Sequence, residues 1–185
     1  MEIILLRHGK PDFLINQKVR IRDVPNMVAG YNNSGVSQQP TKSAISMAYN
    51  CNYIVSSDLP RSIQSARLLG VDEIHLSSCL FREVDLPVSI WPSPKMSSYF
   101  WFGFFRLLWF MGHRASGESL TDARQRAQKA MQELMRLAQE HERVLFVGHG
   151  LLNQFIAKEL LSYGWQGPGR AARDHWDYSA YEFPR

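Results

Sequence analysis

The sequence predicts an α/β fold, a three-layer sandwich in which a mostly parallel central sheet is flanked by helices. Two observations carry this. Short continuous apolar runs, the mark of strands buried on both faces, recur at residues 3–6, 53–55 and 144–147. Segments with helical signals lie between them, so strand and helix alternate along the chain. A length of 185 residues suits a single domain spanning 1–185. A domain of this size buries roughly 70% of the surface its unfolded chain exposes and needs no disulfide or metal as a staple.

The elements follow in order. After the first strand, residues 11–40 read as polar and irregular, with Asn32-Asn33-Ser34-Gly35 as the clearest turn signal. A weak helix is predicted over 41–49. The second strand ends in Ser56-Ser57-Asp58, and Pro60 sits where a helix's first turn tolerates proline; Ile63, Ala66 and Leu69 carry that helix to Gly70. A third short strand is expected at 73–76. Residues 84–95 hold prolines at 87, 92 and 94 and read as loop. A long helix opens at Ser119 or Thr121, because Ala123, Ala127, Ala130, Met131, Leu134, Leu137 and Ala138 repeat at helical spacing. The strand 144–147 follows, then Gly148-His149-Gly150, a helix over 151–161, a glycine-rich break at 164–169 and a last edge strand at 178–183.

Composition narrows the class. Hydrophobic residues make up 45% of the chain and charged residues 21%, an ordinary globular balance. The net charge of +4 is scattered rather than gathered into a Lys/Arg run; it fits a small anionic substrate as readily as a nucleic acid and decides little by itself, and no nucleic-acid partner is expected. Cys51 and Cys79 cannot build a disulfide framework and lack the spacing of a zinc site. The N-terminus shows no basic region or cleavage signal. A cytoplasmic location is the expectation.

Ligands of such sheets bind beyond the carboxyl ends of the strands, so His8, Ser56-Ser57-Asp58 and His149 are expected to share one crevice. Arg7 stands beside His8, and Arg61 lies in the first turn of the helix after the second strand. Two guanidiniums and two imidazoles facing one pocket repel each other unless an anion lies between them. The planar fork of arginine matches phosphate oxygens, and the helix N-terminus near Pro60 adds N–H donors. The same charges oppose a metal dication, and no His-x-x-x-His or paired carboxylate offers a ligand set. No metal and no cofactor are expected.

Arg7-His8-Gly9, the run from Ser56 through Arg61 to Ala66, Phe81-Arg82-Glu83 and Val147-Gly148-His149-Gly150 together resemble the successive motifs of the histidine phosphatase superfamily, the phosphoglycerate mutase-like enzymes, and the resemblance points to the phosphatase branch. Gly117-Glu118-Ser119 also resembles a family feature, although it reads equally as a helix cap. The resemblance implies a metal-independent phosphomonoesterase acting on a small phosphorylated metabolite. His8 attacks phosphorus and becomes a phosphohistidine; Arg7, Arg61 and His149, with His8, bind the phosphate; Glu83 protonates the leaving oxygen and then activates water, with Asp85 as the alternative acid. Residue chemistry supports this scheme independently, since phosphate monoesters demand accelerations on the order of 10²¹-fold, and a covalent intermediate with clamped charge addresses that barrier. His8 must be neutral to attack, and a hydrogen bond from its other ring nitrogen to a backbone carbonyl would hold the tautomer.

Rival readings are a phosphoglycerate mutase, for which the chain is short, a protein phosphohistidine or phosphotyrosine phosphatase, and a silent phosphate-binding protein. The chain also leaves the family pattern. Lys10-Pro11 replaces an acidic residue followed by Thr or Ser, and a family asparagine falls near Leu14, with Asn16 as an approximate substitute and Asn32 or Asn33 as further candidates. His75, His113, His141 and His175 are read as structural or exposed, and the stretch holding Trp165, Arg170, Arg173 and Trp176 as a plain surface loop, with a mobile tail near the substrate as the alternative. Residues 91–114 form a variable aromatic-rich insertion. Its core, 99–111, is nearly all aromatic or aliphatic and too short to span a bilayer, which takes about 20 apolar residues. It reads as a helix buried between the sheet and its flank, as a cap over the leaving-group pocket, or as a membrane-surface or homodimer contact.

Overall fold

The computed structural model describes residues 1–113 and 117–184. Strands β1 (Glu2–Arg7), β3 (Tyr53–Ser57), β4 (Leu76–Ser78), β6 (Arg143–Gly148) and β7 (Tyr178–Glu182) form one sheet in the order β4-β3-β6-β1-β7. The pairs β1–β6, β3–β6 and β3–β4 are parallel, and β7 runs antiparallel along β1 at the edge. The register aligns Arg7 with Gly148, so Arg7-His8-Gly9 and Gly148-His149-Gly150 leave the sheet side by side.

Alternation along the strands builds the two outer layers. Ile3, Leu5, Val55, Val144 and Phe146 face the helices α5 (Leu120–His141) and α6 (Gly150–Ser162), meeting Ala127, Leu134, Leu152 and Ile156. Ile4, Leu6, Ile54, Leu145 and Val147 face α2 (Lys42–Tyr49) and α3 (Pro60–Leu68), meeting Ala44, Met47 and Ala66. Central strands buried on both faces are the reason these runs show no polar positions. Capping follows the expected chemistry: Thr41 Oγ1 accepts from Ala44 N at 3.1 Å, and Ser119 Oγ accepts from Asp122 N at 3.1 Å.

Three predicted elements are corrected. Residues 11–40 are not wholly irregular: β2 (Lys18–Val19), a 3₁₀ turn at Ile21–Asp23 and α1 (Val24–Asn32) lie there, with Pro25 in the helix's first turn and Val24, Met27 and Val28 at helical spacing. The third strand begins only at Leu76, because His75 closes the preceding turn, its N–H donating to Ile54 O at 3.0 Å and its Nδ1 accepting from Ile54 N at 3.0 Å. Residues 98–110 form a helix, α4 (Ser98–Phe110), but it does not lie between the sheet and a flank. Trp101 and Phe105 pack on Ile21 and Val24, while Trp109 meets Val84 and Ala123. Just ahead of α4, β5 (Met96–Ser97) pairs antiparallel with β2. Residues 84–95 are free of helix and strand, as predicted. Arg114, the last residue of the predicted insertion, lies outside the described residues.

Candidate active site

His8 leaves the end of β1 almost fully buried, and its ring is fixed at both nitrogens. Nδ1 lies 2.7 Å from the carbonyl of Gly9, which can only accept, so Nδ1 carries the proton. Nε2 lies 3.2 Å from Arg61 Nε, which can only donate, so Nε2 presents its lone pair. Both contacts select the neutral Nδ1–H tautomer. Burial foremost, then the positive charge of Arg61, and less strongly His175 and Arg7, hold His8 well below the ordinary histidine value of 6.5, against the raising effect of the Gly9 bond.

Arg61 stands in the first turn of α3 with no exposed surface. Its Nη1 donates to Tyr31 O and to Asn32 Oδ1, both at 3.3 Å, and its guanidinium lies 4.7 Å from the Tyr31 ring centre. Its Nη2 has no partner. His149 precedes α6, fully buried, its ring 5.0 Å from that of His8; its Nε2 meets Ser62 Oγ at 3.3 Å and its Nδ1 is unpartnered. Burial, then His8, Arg61, Arg126 and Arg7 in that order, hold it well below 6.5. Arg7 spreads over the start of α6, where a Cβ on Gly150 would sit 3.4 Å from its Nε; that Nε is also buried without a partner, while Nη1 donates to Arg173 O. The four residues predicted to hold phosphate are therefore brought together.

The two glycine-flanked histidines have a steric reason. A Cβ on Gly9 would lie 2.4 Å from the Trp176 ring and 2.4 Å from Val36, and one on Gly148 would lie 2.4 Å from the Phe146 ring. Ser65 ties the first turn to α3, its hydroxyl accepting from Gly9 N at 2.9 Å and donating to Arg61 O at 2.6 Å.

Glu83 reaches the same region from another side. Its carboxylate accepts from Leu151 N at 3.2 Å, Leu152 N at 3.1 Å and its neighbour Val84 N at 2.9 Å, so it sits on the N-terminal turn of α6 directly after His149. Arg126 holds the chain just ahead of it: Nη1 donates to Leu80 O and Arg82 O at 2.9 and 2.7 Å, and the other two nitrogens form a fork with Glu118 at 2.6 and 2.8 Å. Gly117-Glu118-Ser119 thus caps α5 and anchors the Glu83 segment through Arg126. Asp58 similarly binds Arg82 in a fork at 2.7 and 2.6 Å.

A cavity of about 390 Å³ opens beyond Arg61. Glu83, Asp85 and Arg106 line it together with Tyr31, Asn32, Ile15, Val28, Leu86 and Phe102. Arg106 is pinned by Asp85 O at 3.2 Å and Val84 O at 3.0 Å. Burial lowers its pKa, against the raising charges of Glu83 and Asp85.

Two corrections follow. Asn16 is exposed and Leu14 projects into solvent, whereas Asn32 is the asparagine that touches Arg61. The C-terminal stretch is exposed at Arg170 and Arg173, but its end is not a plain surface loop: Trp176 is buried against Gly9, and His175 Nδ1 donates to His8 O at 2.9 Å with the two rings 5.4 Å apart. Burial foremost holds His175 below the ordinary value. His175 and Tyr31 are the site residues that sequence reasoning missed, because neither stands in a motif and both arrive through long-range packing.

A buried, proton-free imidazole nitrogen flanked by orphaned guanidinium donors defines a class of protein: an α/β enzyme built around a phosphate-sized anion. The comparisons give the class its family. Residues 3–184 match the model of the histidine phosphatase superfamily (branch 1), and the chain belongs to that superfamily of phosphatases. Three solved structures share its fold. A mycobacterial glucosyl-3-phosphoglycerate phosphatase is 21% identical, covering 87% of this chain and 79% of its own, with a TM-score of 0.59. YhfR of Bacillus stearothermophilus is 18% identical over 87% and 80%, with a TM-score of 0.59. The phosphoserine phosphatase of Entamoeba histolytica, solved in complex with 3-phosphoglyceric acid, is 17% identical over 97% and 89%, with a TM-score of 0.58. No curated protein matches the chain in sequence.

Proposed function

We propose that the chain is a metal-independent phosphomonoesterase that transfers the phosphoryl group of a small phosphorylated metabolite to His8 and then to water. One observation carries this reading: His8 is held neutral with the Nε2 lone pair forward, beside the unpartnered buried donors Arg7 Nε and Arg61 Nη2. In the first step Nε2 attacks phosphorus and the ester P–O bond breaks, while Glu83 gives a proton to the leaving oxygen. In the second, water attacks the phosphohistidine, its proton passes to Glu83, the P–N bond breaks and phosphate leaves. Arg7, Arg61 and His149 bind the equatorial oxygens throughout; the Arg61 donor that meets His8 Nε2 in the free site turns to one of them. Glu83 and Asp85 both line the cavity, but Glu83 accepts from Leu151 N and Leu152 N just after His149, which favours Glu83 as the acid. From the insertion, Phe102 and Arg106 line the cavity and act as its leaving-group wall. The small phosphorylated compounds named for the neighbouring structures support a metabolite-sized substrate, and two free cysteines suit the cytoplasm.

The test is p-nitrophenyl phosphate hydrolysis in EDTA. The expected result is full turnover in chelator and loss of essentially all activity in His8→Ala. Turnover that depends on added metal, or that survives the substitution, would sink the assignment.

A further inference from the structure

The outer face of α4 is apolar and uncovered. At helical spacing, Ser98, Trp101, Phe105 and Trp109 face inward, and Phe102 and Arg106 turn to the cavity edge. The remaining arc holds Tyr99, Phe100, Gly103, Leu107 and Phe110, with Met111 just past the helix end; Tyr99 and Leu107 are each 59% exposed and Met111 is 74% exposed. The Tyr99 hydroxyl is the only polar side-chain group on this arc. Thirteen helical residues extend it over about 20 Å.

The surroundings of this face are basic. Segments 13–22 and 86–117 contain no Asp or Glu at all. Lys18, on the β2 strand that pairs with β5 at the foot of α4, is exposed, as are Arg20, Arg22 and Lys95. Arg22 lies 3.8 Å from Asp23, and Lys18, Arg20 and Lys95 make no ion pair among the described residues. Exposed Met96, Trp91 and Ile90 extend the apolar area toward these cations.

We propose that α4 and the β2–β5 ribbon form a docking surface for an anionic phospholipid bilayer, with the aromatic arc in the headgroup boundary and Lys18, Arg20, Arg22 and Lys95 against lipid phosphates. Aromatic and aliphatic side chains on one helix face, with four exposed cations and the single carboxylate of Asp23 at its margin, are what an anionic interface selects. A second copy of this chain is the poorer occupant. A two-fold contact would set the four cations of each copy against those of the other, with only Asp23, already beside Arg22, to offset them. No helix among the described residues is long and apolar enough to cross the bilayer, so the contact is peripheral. Phe102 and Arg106 border both the arc and the cavity, so docking sets the cavity mouth at the headgroup layer.

Vesicle co-sedimentation of the full chain tests this. Vesicles of pure phosphatidylcholine and of phosphatidylcholine with phosphatidylglycerol are compared at low salt and at high salt. Binding is expected only to the phosphatidylglycerol vesicles, weakening by about tenfold or more in high salt, where charges are screened within a few ångströms. Leu107→Glu/Phe110→Glu and Lys18→Glu/Lys95→Glu should each lower it by about tenfold or more, while both retain p-nitrophenyl phosphate turnover, which reports an intact fold. Equal pelleting with both vesicle types, or none, overturns the proposal. So does sedimentation of the wild type as a dimer that Leu107→Glu/Phe110→Glu converts to monomer without any vesicle binding, which would assign the face to a second copy.

Discussion

The candidate site has two ends that hang from different parts of the molecule. Arg7, His8, Arg61 and His149 stand on strand ends and a helix N-terminus of the central sheet, where register fixes their mutual distance. The cavity beyond them is walled by α1, residues 84–86 and α4, none of which joins that sheet. The first end is rigid and cationic; the second mixes Ile15, Val28, Leu86 and Phe102 with Glu83, Asp85 and Arg106. The contrast assigns phosphate chemistry to the part the fold cannot move and selection of the ester to the part that varies without disturbing the sheet.

Glu83 stands where the two ends meet, so its substitution is the largest test of that division. Glu83→Gln keeps the shape but removes the acid. Hydrolysis of alkyl phosphates should fall by about 10²–10⁴-fold, and that of p-nitrophenyl phosphate, whose leaving group needs no proton, far less. Equal losses on both classes would take Glu83 out of proton transfer and leave it a helix cap, which its contacts with Leu151 N and Leu152 N already make it.

The next test sharpens the rigid end. His175 touches His8 through the backbone, its Nδ1–H on His8 O at 2.9 Å, and is a positioning residue in the proposed reaction. Its positive charge depresses the pKa of His8, less strongly than burial and Arg61 do. His175→Ala should lower kcat by about tenfold, the range of one lost hydrogen bond to a reacting group's support, and move the acid limb of kcat/KM upward. The sign follows from His8: with less burial and less nearby positive charge it protonates at higher pH, and the protonated ring cannot attack. His175→Asn, which keeps a donor, should recover part of the rate. An acid limb that stays in place would make the contact merely structural.

These two ends also differ in how much of them the sequence discloses. Strand runs such as Ile3-Ile4-Leu5-Leu6 and Val144-Leu145-Phe146-Val147 are legible because burial on both faces removes every polar position, and the motifs at their ends carry Arg7, His8, Arg61 and His149 with them. His175 and Tyr31 were invisible because their placement depends on Trp176 folding onto Gly9 and on Arg61 reaching back to α1, contacts made across 167 and 30 residues. The helix α1 was hidden within polar residues for a related reason. Val24 and Val28 pack with Trp101 and Phe105 of α4 rather than on the sheet, so its apolar stripe is short, and Val24 rather than a long periodic run marks it. Where the chain departs from the family pattern at Lys10, Pro11 and Leu14, none of the three lines the cavity, and Asn32 supplies the side-chain oxygen on Arg61.

The smallest effect concerns stability and again separates the two ends. His8 and His149 are buried among cations and titrate well below 6.5 when folded, whereas the unfolded chain takes up their protons near 6.5. Between those values the unfolded state binds more protons, so stability is full above about pH 6.5 and is lost as pH falls below it. Each such histidine contributes a slope of at most about 1.4 kcal/mol per pH unit, or about 3–6 °C in Tm for a chain of this length. His149→Asn cannot take up a proton, so its Tm should fall less steeply than that of the wild type between pH 6.5 and 5, by up to that one-proton slope. Carboxylates elsewhere titrate alike in both proteins and cancel in the comparison. Asp85→Asn, at the other end of the cavity, should leave the slope of this window unchanged. Parallel Tm–pH lines for the wild type and His149→Asn would mean that the buried cationic end is not where acid destabilises the fold.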